Sequence, residues 1–285
     1  MIRINHMTKQ YAGFSLNISL DLPAGHITGI VGRNGAGKST TIKAILGLIE
    51  ADSGEVKVFG KDAPMLTGSD KQDIGVALAE SGFSNYITVA GAAKILKAMY
   101  TRFDENFFLH SVREQNLPLN KPIKEFSTGM KAKLRVLTAL SHHARLLILD
   151  EPTAGLDVVA RSEILDMLRS YIEEHKDCSV LMTSHISSDL EEMCDDIYLI
   201  HNGKIVLHED TEVLLGSYAQ LKVNDAEYDR LDKQYLLATK KTGTGCTCLT
   251  DNKKFYLDNY PGIVIENGSI DEIIVMLTTS ERSAK

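Results

Sequence analysis

Gly32-Arg-Asn-Gly-Ala-Gly37-Lys38-Ser39-Thr40 is a complete G-x-x-x-x-G-K-[ST] sequence, and it decides how this chain is read. Before it stands Ile27-Thr-Gly-Ile-Val31, a compact β-rich run bounded by Gly25 and Gly32, which reads as a buried strand. After it, Thr40 to Leu48 carries apolar residues at helical spacing. Strand, glycine-rich turn and helix in this order build an anion site. The glycines Gly32, Gly35 and Gly37 let backbone N–H groups of the loop, from Arg33 and Asn34 through Ala36 to Thr40, close around a phosphate. The N-terminus of the helix adds positive partial charge. Lys38 can reach the outer phosphates, and the Ser39 hydroxyl can ligand Mg²⁺. A chain of this length matches the pattern by chance about one time in a hundred.

Further along, Leu146-Leu-Ile-Leu149 runs straight into Asp150-Glu151. Two carboxylates thus sit at the C-terminal end of a buried strand, which in an α/β sheet is where ligands bind. Asp150 would hold Mg²⁺ through water, and Glu151 could orient or deprotonate an attacking water. Val158 to Glu174 reads as a helix and Ser179-Val-Leu-Met-Thr183 as the next strand. Strand, helix, strand at this spacing is a βαβ unit, so the fold class is α/β with a parallel sheet. Residues 54 to 60 alternate as a half-buried strand. Ala90 to Tyr100 and Met130 to Ser141 read as helices. Ile197 to Ile200, Asn202-Gly203 and Ile205 to Leu207 read as a hairpin, because Asn-Gly accepts the positive φ angles of a type I′ turn.

A domain boundary is expected near residue 210. Beyond it, Lys254 to Leu257 and Ile263 to Glu266 read as strands, and Ser269-x-x-Glu272 is a capping box opening a last helix through Leu277.

Composition bounds the partners. With 285 residues, 44% hydrophobic and 24% charged, the chain can bury a full core without staples. The 31 Lys+Arg against 38 Asp+Glu leave −7, which argues against a general nucleic-acid or anionic-membrane binder. No apolar run approaches the length of a membrane span, and Met1-Ile-Arg-Ile-Asn5 lacks the features of a secretory signal. The cysteines Cys178, Cys194, Cys246 and Cys248 form no CxxC pair. The chain reads as cytosolic, reduced and soluble.

Taken together, these motifs resemble the nucleotide-binding subunit of an ATP-binding cassette (ABC) transporter over about residues 1 to 210. The resemblance rests on order: the phosphate loop, a signature-like Phe126-Ser-Thr-Gly-Met130, the Asp150-Glu151 pair, a Gly155-Leu156-Asp157 loop, and a strand ending in His185. Tyr11 lies upstream, where the family places the aromatic that stacks on adenine. The resemblance implies a P-loop NTPase (RecA-like) parallel-sheet core with an antiparallel β subdomain. A helical insert would span about 81–142 and a small C-terminal α/β accessory region 211–285.

It further implies ATP and Mg²⁺ as cofactors and completion of each site in a head-to-tail dimer with an identical or paralogous cassette. Ser127 and Gly129 of one subunit would meet the γ-phosphate held by the other. His185 would contact that phosphate and the attacking water, and Asp157 would link the two sites. The partner would be a separate transmembrane permease subunit, placing the chain peripherally on the cytoplasmic side of the membrane, with no nucleic acid involved. The C-terminal extension looks like that of bacterial exporter-type cassettes for peptides, antibiotics or lipids. The alternative is a soluble cassette ATPase of the metallocluster-assembly or translation type. Two departures stand out: Thr128 and Met130 replace the usual Gly and Gln of the signature, and Glu80 stands nearest the usual metal-contacting glutamine.

Overall fold

Four apolar residues in a row, Leu146 to Leu149, are fully buried, and this places their strand in the middle of a sheet covered on both faces. The computed structural model describes residues 1–79 and 83–279, with the backbone of 281–282. Within them β3 (Ile27–Val31), β6 (Ile74–Ala77), β7 (Leu146–Asp150), β8 (Ser179–Ser184) and β9 (Asp196–His201) run parallel in the order β9-β3-β8-β7-β6. On the β9 side the same sheet turns antiparallel through β10 (Lys204–Asp210), then continues into β2 (Phe14–Leu22), β1 (Ile2–Tyr11), β4 (Ser53–Val58) and β5 (Lys61–Asp62). There one face alternates: Leu16, Ile18, Leu20 and Leu22 of β2 point into the core and the residues between them do not. The β9–β10 turn forms as its sequence implies, with Asn202 and Gly203 at φ 48° and 73°.

Helices α6 (Val158–Glu174) and α7 (Ser187–Met193) connect the parallel strands β7, β8 and β9, while α1 (Lys38–Ile45) leads from β3 to β4 and the short α2 (Gly68–Lys71) precedes β6. The insert consists of α3 (Val89–Met99), α4 (Glu105–Glu114) and α5 (Thr128–Leu140). Each begins at a side-chain cap: Thr88 accepts from the Gly91 amide, Asp104 from Phe107 and Ser127 from Met130. Phe108, Val112, Leu96 and Leu137 give the insert its own apolar cluster.

After residue 210 come α8 (Thr211–Ser217), β11 (Ala219–Val223), α9 (Asp225–Arg230), β12 (Leu236–Thr242), β13 (Gly245–Thr250), α10 (Lys253–Asn259), β14 (Val264–Asn267), α11 (Ile270–Thr279) and β15 (Glu281–Arg282). Their strands make a second, antiparallel sheet in the order β14-β11-β13-β12-β15. One expectation fails here. The strand read over Lys254 to Leu257 is instead helix α10. Its β-prone Phe-Tyr-Leu is overridden by Asn252, whose side chain caps Phe255 N at 3.1 Å, and by burial of Tyr256 on one helical face. The Ser269–Glu272 box forms and starts α11.

The region beyond 210 shares a core with what precedes it. Leu190, Met193 and Ile197 lie in one buried cluster with Leu214, Tyr218, Ile270, Ile273, Met276 and Leu277. The Ile270 amide also donates to Glu191 Oε1 of α7 at 3.0 Å. All four cysteines are buried free thiols, and no group of three metal-capable side chains exists among the described residues. No helix among those residues is long and apolar enough to cross a membrane.

Candidate active site

The loop after β3 is shaped by two crowded glycines. A Cβ on Gly32 would lie 2.3 Å from the Ile200 carbonyl oxygen, and Gly37, at φ 121°, would meet Leu16 Cδ1 at 2.5 Å. Gly37 caps α1 without a side-chain hydrogen bond, and the first turn holds no acidic residue. The first amides of α1 therefore face an electropositive cavity suited to an anion.

Lys38 is only 6% exposed, with Nζ 2.7 Å from the Gly32 carbonyl oxygen and 3.3 Å from Glu151 Oε1. A buried ammonium this well oriented is a fixed charge at the loop's centre. Ser39 Oγ donates to Asp150 Oδ2 at 3.2 Å, and Thr183 Oγ1 donates to Asp150 Oδ1 at 2.6 Å. One hydroxyl and one carboxylate, both hard oxygen donors, fit a divalent cation such as Mg²⁺.

Glu151 adopts φ 52°, a left-handed conformation rare for a residue with a side chain, and its amide donates to the Thr183 carbonyl at 3.1 Å. This turn carries its carboxylate back over the loop. There Oε1 faces Lys38, while Oε2 accepts from the His185 amide at 3.1 Å and from its Nδ1 at 2.5 Å. A carboxylate oxygen accepts, so the ring donates to it from Nδ1.

A cavity of about 800 Å³ opens between these groups, lined by the loop, Asp150, Glu151, Ala79 and the ring of Tyr11. That volume suits a drug-sized ligand. Tyr11 is 46% exposed and stacks loosely on Phe14, with ring centroids 6.4 Å apart, so its face is open at the cavity mouth.

Ser127, Gly129 and Asp157 do not line this cavity. Ser127 caps α5, Asp157 caps α6 through the Ala160 amide at 2.9 Å, and a Cβ on Gly129 would sit 3.4 Å from Ala160 Cβ. Among the described residues the structure thus forms two groups, the loop cluster, which lines this cavity, and a signature cluster, which does not. Glu80 lies outside the described residues.

Comparison with known proteins decides the family. The ABC transporter family model matches residues 16–154. The ABC transporter ATP-binding protein YtrB of Bacillus subtilis (strain 168) is 30% identical over 228 residues, covering 78% of this chain and 76% of its own. The lantibiotic transport ATP-binding protein SrtF of Streptococcus pyogenes is 30% identical over 214 residues, covering 74% and 91%.

The chain belongs to the ATP-binding cassettes of ABC transporters.

The bacitracin transport ATP-binding protein BcrA of Bacillus licheniformis, 32% identical over 213 residues, covers 72% of this cassette and 68% of its own length. Among solved structures, an ATP-binding subunit of an ABC transporter superposes with a TM-score of 0.67 at 23% identity, over 75% of the cassette and 91% of that chain. A cassette solved as a post-hydrolysis dimer with ADP and Pi gives 0.65 at 19%, over 74% and 99%. These confirm the P-loop fold, and the cassette is an ATPase by family.

The cassette's sequence did not point to Thr183 or Asp189. Asp189 is 0% exposed and accepts from Thr153 Oγ1, Arg161 Nε and, at 3.4 Å, Ser184 Oγ. It ties the strand that leads to His185, the turn after Glu151 and the helix capped by Asp157 into one network.

Proposed function

We propose that this cassette hydrolyses Mg²⁺–ATP between two cassette subunits and thereby drives a separate transmembrane permease, exporting peptides, antibiotics or other amphipathic molecules. The observation that carries the reading is the Lys38–Glu151–His185 chain, which aims one carboxylate, held from both sides, into a cavity walled by phosphate-binding amides. In this reading Lys38 and the amides from Gly32 to Thr40 bind the phosphates, and Tyr11 stacks on the adenine. Ser39 and Asp150 would hold Mg²⁺, which supplies charge neutralisation on the phosphates. Glu151 orients the attacking water and takes its proton. His185 fixes Glu151 through Nδ1, and a proton on its Nε2 would let that nitrogen donate to the γ-phosphate.

Ser127 and Gly129 would complete the site of the second subunit, with Asp157 bridging. Support comes from the first turn of α6, where Val158 and Val159 beside Asp157 are 80% and 69% exposed, apolar surface that a partner would cover. The permease would dock in a groove of about 770 Å³ between the insert and the core, lined by Leu96, Met99, Tyr100, Ile123 and Leu134. Through it the cassette would be held at the cytoplasmic face of the membrane. The names of SrtF and BcrA, ATP-binding proteins of lantibiotic and of bacitracin transport, support cargo of that kind. We assign residues 1–210 to the ATPase unit and 211–285 to an accessory region.

The test is Glu151→Gln in the purified chain. ATP binding persists, turnover falls by at least about a hundredfold, consistent with loss of a positioned general base, and an ATP-bound dimer accumulates on size exclusion. Unchanged turnover overturns the assignment of Glu151.

A further inference from the structure

The end of β6 belongs to two cavities at once. Ala79 lines the nucleotide cavity and also the groove between the insert and the core. Leu78 and Ala79 lie just past the last ladder pair of β6, Ala77 with Leu149. Across from them is α5, the helix that begins at Ser127 and Gly129.

Two contacts fasten this strand end to α5. At Gly75 the helix backbone lies directly on the strand, since a Cβ there would be 2.3 Å from the Ala139 carbonyl oxygen. One turn nearer the start of α5, Arg135 Nη1 donates to the carbonyl oxygens of both Leu78, at 3.1 Å, and Ala79, at 2.6 Å. The first contact already seats the helix, together with buried Val136, Leu140 and Ala132. The second is a separate, charge-assisted grip on the shared wall. Guanidinium suits it, being planar, always charged and rich in donors. Partial burial lowers its pKa from the ordinary arginine value, which leaves it charged at any physiological pH.

We infer that Arg135 is a positioning residue that couples the nucleotide cavity to the groove by holding the Leu78–Ala79 wall against the signature helix. ATP on one side and a docked helix on the other then bias the same wall, which is the requirement for linkage between two sites. The inference rests on the ATP-hydrolysis reading for what fills the cavity. Arg135 is not among the residues lining that cavity, so its loss leaves nucleotide affinity to the loop and Tyr11 and acts on turnover.

The experiment compares the full-length wild-type chain with Arg135→Ala and Arg135→Lys. In steady-state hydrolysis Arg135→Ala lowers kcat about tenfold with KM within about twofold, the size expected for losing charge-assisted hydrogen bonds that matter only in the reacting state. Arg135→Lys recovers to within about threefold of wild type, because an ammonium still donates to the two carbonyls. Hydrogen exchange supplies a readout independent of turnover. Mg²⁺–ATP slows exchange in 76–79 and in α5 of the wild type, and only around residues 32–40 in Arg135→Ala. The inference is overturned if Arg135→Ala matches wild type in both readouts. It is equally overturned if kcat, affinity and melting temperature fall together without rescue by lysine, which would mark a purely structural role. Calorimetry separates the underlying reading: a wild type that binds no ATP removes that reading and the coupling with it. A wild type that binds without hydrolysing leaves hydrogen exchange to decide the coupling.

Discussion

Thr183 and Asp150 face each other in register on neighbouring parallel strands, and the Thr183 hydroxyl donates to the Asp150 carboxylate at 2.6 Å. The same hydroxyl accepts from the Glu151 amide at 3.1 Å, so one side chain fixes both acidic residues. Thr183→Val keeps the shape and removes both bonds, one of them to a buried carboxylate. The expected loss is about 1.5–3 kcal/mol of stability, seen as a melting temperature lowered by several degrees. The Mg²⁺ concentration for half-maximal turnover rises several-fold as Asp150 loses its orientation. A variant with unchanged melting and unchanged Mg²⁺ dependence would show the pairing to be incidental.

Lys38→Ala removes the charge at the centre of the loop and leaves Glu151 with His185 alone. ATP affinity measured by calorimetry drops by about ten- to a hundredfold, the equivalent of one charged hydrogen bond in a desolvated site. Equal affinity would contradict the placement of phosphates in this loop.

Tyr11→Ala removes the open ring at the cavity mouth. Stacking on a base is worth about 1–3 kcal/mol, so adenine-nucleotide affinity falls by about five- to a hundredfold and Tyr11→Phe restores it. Inorganic tripolyphosphate, which has no ring to stack, binds all variants alike. Loss of both ligands together would place Tyr11 in the fold rather than in the site.

Burial pushes the thiol of Cys178 up to about 12 and that of Cys248 up to about 11, from an ordinary value of 9.0. Below pH 9 both states carry these thiols protonated. Above it the unfolded chain ionises them while the folded chain does not, so stability falls as pH rises from about 9 toward 12. Urea midpoints measured between pH 7 and 11 will show this decline. Cys178→Ser with Cys248→Ser will lessen it, the remainder coming from Cys194 and the tyrosines Tyr171, Tyr218 and Tyr256, which burial also pushes up. Iodoacetamide at pH 8 will label the folded chain slowly and the unfolded chain fast.

The phosphate loop was legible because everything it needs is local. Nine consecutive residues carry the turn, the charge and the hydroxyl, and the flanking periodicities supply strand and helix. Helix α6 was legible for the same reason, its span Val158 to Glu174 matching the reading, while the capping role of Asp157 came only with the structure. Asp150 and Glu151 could be placed at a strand end from the sequence, but their fixing by Thr183 depends on register between strands 33 residues apart. Asp189 depends likewise on partners 28 and 36 residues away. Such contacts leave no periodic trace in the chain. At Lys254 to Leu257 local preference pointed to a strand, and the cap at Asn252 with the burial of Tyr256 decided for a helix. Propensity is a weak prior wherever tertiary packing has a say.

The apolar cluster that runs from Leu190 and Met193 to Ile273 and Leu277 has a consequence for how the molecule comes apart. Cutting the chain at residue 210 would strip the cover from α7 and turn those side chains into a sticky surface. The two sheets are therefore expected to melt in a single calorimetric transition, and a chain shortened at residue 210 to aggregate rather than give a smaller working ATPase.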